Sequence, residues 1–177
     1  MILPPDQAIF VVMQKMNTGL ESFTLLAIPL FILAGNIMNN GGIAKRLIAL
    51  AELVTGRVPG SLVHTNIVGN MLFGALSGSA VAAAAAIGGT MSKQQRERGY
   101  DPAFTAAANI ASAPSGLLIP PTTAFIVYSM IAGGTSIAAL FMAGAVPGIL
   151  MGLTVIAVAL VYAIRKKKTP PPPARAA

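Results

Sequence analysis

Charged residues and cysteine are the scarce residues of this 177-residue chain. Only 10% of the residues are charged and none is cysteine, whereas a soluble domain has about 25% charged residues. The absence of cysteine excludes disulfides and thiolate metal sites. Hydrophobic residues make up 55% of the chain, and the mean hydropathy is +0.74. These values predict an integral membrane protein with an all-α fold, because helices satisfy their own backbone hydrogen bonds in lipid.

Acidic residues are even fewer than basic ones, which leaves a net charge of +7. The basic residues stand at the ends of apolar runs and do not form a single patch, so we expect no nucleic-acid partner. They form three clusters, around Lys45 to Arg57, Lys93 to Arg98 and Arg165 to Lys168. Such clusters mark cytoplasmic loops, and we therefore expect all three on the same side of a bilayer.

The first part of the chain is predicted to form two interfacial helices, one before and one after an apolar span. Residues 1–21 predict an amphipathic helix lying at the interface. Residues 22–40 are uncharged and approach the roughly 20 residues that span a bilayer. Residues 43–56 predict a second interfacial helix with one apolar stripe. This stripe consists of Ile43, Leu47, Leu50 and Val54.

The uncharged stretch from Val58 to Ser92 is interrupted by a small polar motif at Ser77-Gly78-Ser79. One long helix would place the basic clusters that flank it on opposite sides, against the positive-inside tendency. A chain that doubles back near residues 77–80 keeps both clusters cytoplasmic, with arms of about 16 residues. We therefore favour a re-entrant helical hairpin over a single crossing.

A second uncharged stretch covers residues 102–164. Gly133 to Ser136 divides it into two crossings, and the first is predicted to be an interrupted helix near 112–122, broken around Ser115. Irregular backbone at membrane depth needs partners in protein, ions or trapped water. Two polar breaks in consecutive segments are therefore typical of a transporter. The tail at 169–177 contains four consecutive prolines and is expected to be disordered.

Two polar stripes lead into these breaks. They consist of Asn66, Asn70 and Ser77, and of Thr105, Asn109 and Ser112. Each stripe alone is equally compatible with joining helices and with building a site, but two stripes converging on two breaks favour a site. Oxygens of hydroxyls, amides and carbonyls suit Na⁺. Helix N-termini starting at Ser79 and Thr122 would offer free N–H groups to an anionic substrate.

An enzymatic reading centres on Ser77 with His64, the only histidine. A serine nucleophile needs an oriented base and an oxyanion hole, and the residues between these two read as plain helix. We therefore expect no enzymatic activity. His64 is expected to be an interfacial or hydrogen-bonded residue and not a proton relay.

Four motifs resemble those of the large membrane subunit of TRAP transporters, the DctM-like permeases. They are Leu26 to Asn36 (LAIPLFILAGN), Ser77 to Ala80 followed by Ala85 to Gly88 (SGSA and AAIG), Gly99 to Phe104 (GYDPAF), and Ile119 to Thr122 (IPPT). The match runs in order from about Phe10 to Arg165. The resemblance implies the family's fold, in which transmembrane helices combine with a re-entrant hairpin and an interrupted helix to form the first repeat of an elevator-type transporter.

The resemblance also implies a function and partners. The expected protein is a multi-pass permease of the bacterial inner membrane, working with a small TRAP membrane subunit and a periplasmic solute-binding protein. It would take up organic acids such as dicarboxylates or sugar acids with Na⁺ as coupling ion and no other cofactor. The family's large subunit is more than twice this length, so residues 22–168 are expected to form the first permease repeat. The alternative is a non-transporting membrane scaffold or the remnant of a truncated permease.

The resemblance places one Na⁺ site and half of a substrate site at the hairpin tip and in the interrupted helix. The residues expected to bind ion and substrate are Ser77, Gly78, Ser79, Ala80, Asn109, Ser112, Ser115, Gly116 and Thr122. Among them, the Na⁺ candidates are Ser79, Ser112 and Gly116.

Overall fold

All regular structure in the described part of the chain is helical. The computed structural model describes residues 4–20, 29–30, 33–37 and 40–166, and contains no strand within them. The long helices are α1 (Pro5–Leu20), α2 (Ile43–Thr55), α3 (Ser61–Ser77), α4 (Ala80–Glu97), α5 (Pro102–Leu118), α6 (Thr123–Ile131) and α7 (Ile137–Lys166). The all-α prediction is therefore confirmed.

Three predictions fall partly or wholly outside the described residues. They concern most of the span at 22–40, with the motif at 26–36, and the tail at 169–177. Residues 33–37 are helical, and Gly35 among them approaches the hairpin: a Cβ added there would lie 3.7 Å from the Cβ of Ser77.

Helix α3 lies at the centre of the molecule and packs against α2, α4 and α5. It has no charged residue, and its buried residues are distributed around the whole helix. Such a helix suits a position enclosed by other helices. Ile67 and Phe73 of α3 meet Ile87 and Met91 of α4 in the main hydrophobic core.

Helices α3 and α4 form an antiparallel hairpin. Near its open end, Gln95 Nε2 donates to the carbonyl of Leu62 at 3.1 Å. At the other end, Gly78 adopts a left-handed conformation with φ of 63°, which glycine tolerates without a Cβ clash. The chain therefore doubles back at residues 78–79, within the predicted tip. Its re-entry into a bilayer stays a prediction.

The interruption between α5 and α6 lies at the end of the predicted range. The prediction of a break around Ser115 is wrong, because α5 continues through Pro114 to Leu118. Proline costs this helix one N–H bond, and the hydroxyls of Ser112 and Ser115 each donate to a carbonyl three residues earlier. The chain leaves the helix just before Pro120, where a following proline disfavours helical backbone, and α5 and α6 are bent by 54°.

One described helix is long and apolar enough to cross a membrane. This is α7, over Ile137–Arg165, and the bent pair α5 and α6 would count as a second if taken as one span. Many large side chains of α7 are exposed, among them Met142, Leu150 and Val158. The multi-pass arrangement stays a prediction.

The two helices predicted to lie at the interface expose apolar side chains. Helix α1 exposes Phe10 and Met13, and α2 exposes Leu50 and Val54 of the predicted stripe. The face of α2 that packs on protein consists of Ala44, Ile48, Ala51 and Thr55. The apolar stripe of α2 is therefore not its protein-facing side, and its placement at a bilayer interface stays a prediction.

Candidate ion and substrate site

The hairpin tip lies directly against the interruption between α5 and α6. Thr123 Oγ1 donates to the carbonyl of Gly78 at 3.1 Å. A Cβ added to Gly78 would lie 3.2 Å from the Thr123 nitrogen and 3.4 Å from the Thr122 Cα. Two breaks that are more than forty residues apart in sequence therefore meet at glycine backbone.

Both helices that start at this contact are capped by their own side chains. Ser79 Oγ accepts from the Ala82 nitrogen, and Thr122 Oγ1 accepts from the Ala124 nitrogen, each at 3.2 Å. Ala80 is the first residue of α4. A helix start leaves up to four N–H groups without helical partners, and each cap uses one. The remaining donors of the first turns suit a carboxylate.

Further from the tip, the polar stripes of α3 and α5 meet each other. Asn70 Nδ2 lies 2.8 Å from Ser112 Oγ, 3.0 Å from both the carbonyl and the side-chain oxygen of Asn109, and 3.2 Å from Asn66 Oδ1. Asn109 Nδ2 donates in turn to the carbonyl of Ala84 in α4. These four residues, Asn66, Asn70, Asn109 and Ser112, are called the asparagine cluster below. It connects α3, α4 and α5.

Two glycines between the tip and the asparagine cluster allow α3 and α5 to cross closely. A Cβ added to Gly74 would lie 2.6 Å from the Cα of Gly116, and one added to Gly116 would lie 2.5 Å from the Asn70 carbonyl. Both distances are too short for any side chain. Small residues at such crossings let helix backbones approach, and here the approach brings the cluster within hydrogen-bond range.

The predicted site residues divide into two groups. Ser77, Gly78, Ser79, Ala80 and Thr122 lie at the contact between tip and interruption, whereas Asn109, Ser112, Ser115 and Gly116 lie along the α3–α5 crossing. The Na⁺ candidates are divided in the same way. The hydroxyl of Ser79 pairs with Ala82 in the tip, while that of Ser112 pairs with Asn70 and Asn109.

The predicted residue set lacks Asn70, which has the most partners in the cluster. The spacing of Asn66 and Asn70, one helical turn apart on the same face, indicates that Asn70 belongs to a polar stripe. The spacing does not indicate which helix packs against that stripe. The direct bonds between the two stripes support the reading that they join helices, and the site role of these residues stays a prediction.

His64 and Ser77 do not form a catalytic pair. His64 lies in the first turn of α3 and Ser77 is its last residue, so the helix separates them by roughly 20 Å. His64 Nε2 lies 3.1 Å from the carbonyl of Pro59, which agrees with the expected hydrogen-bonded histidine.

A cavity of about 180 Å³ adjoins the asparagine cluster on the side away from the tip. Its wall includes Asn66 and Asn109 from the cluster, Thr105 from the same stripe, and Gln95 and Arg96 from the end of α4. No carboxylate belongs to this wall. The cavity therefore joins the open end of the hairpin to the buried polar stripes.

Comparison with protein families gives a match over nearly the whole chain. The family described as "Tripartite ATP-independent periplasmic transporter, DctM component" matches residues 1–176. This is a family of transporter components.

Individual relatives agree with the family match. The chain is 63% identical over 163 residues to "Uncharacterized protein YgiK" of Salmonella typhimurium, covering 92% of this chain and 38% of that protein. It is 38% identical over 168 residues to the sialic acid TRAP transporter large permease protein SiaM of Vibrio cholerae, covering 95% and 39%. It is 39% identical over 173 residues to the C4-dicarboxylate TRAP transporter large permease protein DctM of Pseudomonas aeruginosa, covering 98% and 40%. The chain therefore spans about two fifths of the length of these relatives.

Proposed function

The chain belongs to the DctM component family of tripartite ATP-independent periplasmic transporters, and we propose that it is a membrane permease subunit for organic acids. In this proposal it contributes to Na⁺-coupled uptake that depends on a solute-binding protein. The proposed movement is of the elevator type, with the α3–α4 hairpin as part of the moving unit.

The observation that carries this proposal is the contact between the hairpin tip and the interruption. Gly78 and Thr123 bring two non-helical segments together, and the capped N-termini of α4 and α6 begin there. In hydrocarbon such backbone is tolerated where protein or a hydrated cavity surrounds it. Binding sites of secondary transporters are built from interrupted helices of this kind.

The proposed substrates are carboxylic acids. Two relatives are named as permeases for sialic acid and for C4-dicarboxylates, and both kinds of molecule carry a carboxylate. Free N–H groups at the starts of α4 and α6 supply donors for such a group without a cationic side chain. We propose Ser77, Gly78, Ser79, Ala80 and Thr122 for this contact.

The proposal includes the partners and the location. They are a small TRAP membrane subunit, a periplasmic solute-binding protein and the bilayer of a bacterial inner membrane. The positive-inside tendency and the three basic clusters orient the open end of the hairpin, with Lys93 and Arg96, toward the cytoplasm.

The test is uptake by the chain together with its natural neighbours. Proteoliposomes would contain the chain with the membrane subunits encoded beside it and would receive the binding protein with radiolabelled succinate or sialic acid. We expect uptake with an inward Na⁺ gradient and none when choline replaces Na⁺. Uptake driven by a proton gradient alone would contradict Na⁺ coupling. A stably inserted complex that never transports would support the membrane scaffold instead.

A pair of cap variants separates site chemistry from helix stability. Ser79→Ala and Ser136→Ala each remove a hydroxyl that accepts from a helix N-terminus, at α4 and at α7 respectively. Each lost cap costs about 1 kcal/mol. We expect Ser79→Ala to weaken the Na⁺ dependence of uptake, and Ser136→Ala to leave it unchanged. Equal effects of both changes would assign the loss to helix stability.

A further inference from the structure

The cavity of about 180 Å³ at the open end of the hairpin is a polar space that the proposed function does not use. Its wall combines Asn66 of α3 with residues of α4 from Gly88 to Arg96 and residues of α5 from Pro102 to Asn109. Arg96 is exposed, whereas Asn66 is 1% exposed. The cavity therefore leads from the surface of the molecule to a buried amide.

The buried amide at the inner end of the cavity has a donor without a partner. Asn66 Oδ1 accepts from Asn70 Nδ2 at 3.2 Å, whereas Asn66 Nδ2 has no hydrogen-bond partner among the described residues. Buried polar groups are paired in the large majority of cases. Because the oxygen of this amide is engaged with Asn70, the nitrogen is the polar atom that Asn66 offers to the cavity. A ligand at this end must therefore accept hydrogen bonds.

The outer end of the cavity has a positive charge without a carboxylate partner. Arg96 belongs to the wall and lies in the last turn of α4. In the part of the chain that the structure describes, the ion pair at this end joins Lys93 to Glu97 at 4.0 Å. Asp101 accepts from the nitrogen of Ala103 at the start of α5. Neither acid belongs to the wall, so the guanidinium of Arg96 is available to an anion.

The helix ends and the remaining amide of the wall also favour an acceptor. The start of α5 contributes Pro102 and Thr105, and a helix start carries a partial positive charge. The end of α4 carries the opposite partial charge, which Arg96 offsets. Gln95 Nε2 uses one of its two hydrogens on the carbonyl of Leu62, which leaves one more donor hydrogen in the wall.

We propose that this cavity binds a phosphate group between Arg96 at its mouth and Asn66 at its inner end. The oxygens of a phosphate point in several directions, so they can accept from α3 and α4 at once. A guanidinium presents its donors in a planar fork that matches such oxygens. The volume exceeds the about 10–15 Å³ that a single water requires, which leaves space for the anion and its water. The phosphate group comes from free inorganic phosphate or from the headgroup of an anionic lipid.

A bound phosphate would join the end of α4 to the first half of α3. It would bind the folded arrangement alone and would therefore raise the melting temperature of the chain in proportion to its occupancy. The orientation given above places the mouth of the cavity at the cytoplasmic side of the membrane. That sidedness rests on the proposed function, whereas binding by the purified protein does not.

The experiment measures thermal melting of the full chain, purified in a neutral detergent with the membrane subunits encoded beside it. Samples contain sodium phosphate or sodium chloride at the same pH and Na⁺ concentration, with ionic strength matched by choline chloride. We expect phosphate to raise the melting temperature by roughly 3–5 °C. Phosphate also stabilises proteins by exclusion from their surface, and variants separate this general effect from binding.

The diagnostic variant is Arg96→Gln, and its matched control is Arg98→Gln. Both remove one positive charge from the end of α4, but Arg98 is the C-cap of this helix and does not belong to the described wall of the cavity. Arg96→Gln should raise the half-saturating phosphate concentration by roughly tenfold, whereas Arg98→Gln should keep it near the wild-type value. Stabilisation by surface exclusion is the same in both variants. An equal response of the two variants to phosphate would overturn the proposal.

A second variant tests the inner end of the cavity. Asn66→Asp keeps an oxygen that accepts from Asn70 and replaces the unpaired nitrogen with a second, negatively charged oxygen. It should melt lower than the wild type and should lose the specific response to phosphate. A response as large as that of the wild type would contradict the site. If Asn66→Asp does not fold, the two arginine variants decide the question, because Arg96 is exposed and its replacement leaves the core unchanged.

A final arm distinguishes the two sources of the phosphate group. The wild type, Arg96→Gln and Arg98→Gln are melted in chloride with added phosphatidylglycerol or phosphatidylcholine. Stabilisation by phosphatidylglycerol that Arg96→Gln alone loses would assign the site to a lipid headgroup, and the same pattern with inorganic phosphate would assign it to the free anion. Absence of both patterns would overturn the proposal. Because melting needs no substrate or binding protein, a failure of uptake would leave this result standing.

Discussion

Helices α3 and α7 are both strongly apolar, yet their surroundings in the molecule are opposite. Twelve of the 17 residues of α3 are buried, whereas α7 exposes large side chains along most of its 30 residues. The difference does not follow from hydropathy alone, because the exposed helix is the one that is long and apolar enough to cross a membrane. Apolar character alone therefore does not tell whether protein or lipid surrounds a helix.

Small and polar residues account for the difference. Helix α3 brings Gly69, Gly74, Asn66 and Asn70 to its neighbours, and these allow close backbone approach and hydrogen bonds between helices. Helix α7 has one ridge of small residues, Gly144, Gly148 and Gly152, that packs on Phe125, Ile119 and Met71. Its other faces carry large aliphatic side chains, which suit contact with lipid.

The largest expected effect is a change at the α3–α5 crossing. In Gly74→Ala the new methyl would lie 2.6 Å from the Cα of Gly116, so the helices must separate at a cost of about 1–3 kcal/mol. The melting temperature, followed by circular dichroism, should fall by roughly 3–9 °C. Gly89→Ala is the control, because nothing lies within 4 Å of Gly89 in α4. A similar fall in both variants would contradict the close crossing.

A smaller effect is expected at the hairpin tip. Gly78→Ala places a Cβ on a residue with φ of 63° and brings it 3.2 Å from the Thr123 nitrogen, for a cost of about 1–2 kcal/mol. Gly99→Ala meets the same backbone strain at φ of 75° with nothing within 4 Å. Thermal melting should show the greater loss for Gly78→Ala, and the difference measures the contact with the interruption. Equal losses of stability in the two variants would mean that Gly78 is not in close contact with the interruption.

The smallest effect is expected from removing a hydroxyl. Thr123→Val deletes the bond to Gly78 that joins tip and interruption, at a cost of about 0.5–1.5 kcal/mol. Thr154→Val deletes a bond to Leu150 within α7 on an exposed face, and its melting temperature should remain near that of the wild type. A greater loss in Thr154→Val would reverse the comparison between core and outer helix.

The sequence predicts the position of the hairpin turn and, within a few residues, the position of the interruption. The uncharged stretch and the Ser77-Gly78-Ser79 motif predict a reversal at 77–80, and the chain doubles back at 78–79. The break expected around Ser115 instead lies at residues 119–122. Helix α5 continues past Ser115 and through Pro114, and the hydroxyls of Ser112 and Ser115 bond to carbonyls of the same helix. No local sequence pattern predicts that α5 continues through this proline.

By itself, the sequence determines that the chain is helical and apolar, where its uncharged runs begin and end, and which small residues interrupt them. These properties are local, because charge, glycine conformation and proline geometry act within a few residues. Tertiary structure alone decides that Gly78 meets Thr123 and that Asn70 meets Asn109 and Ser112. Such contacts depend on which helix faces come together, and several faces of this chain have similar polarity and size. The choice among them is made by close packing around Gly74 and Gly116, which no periodicity in the sequence specifies.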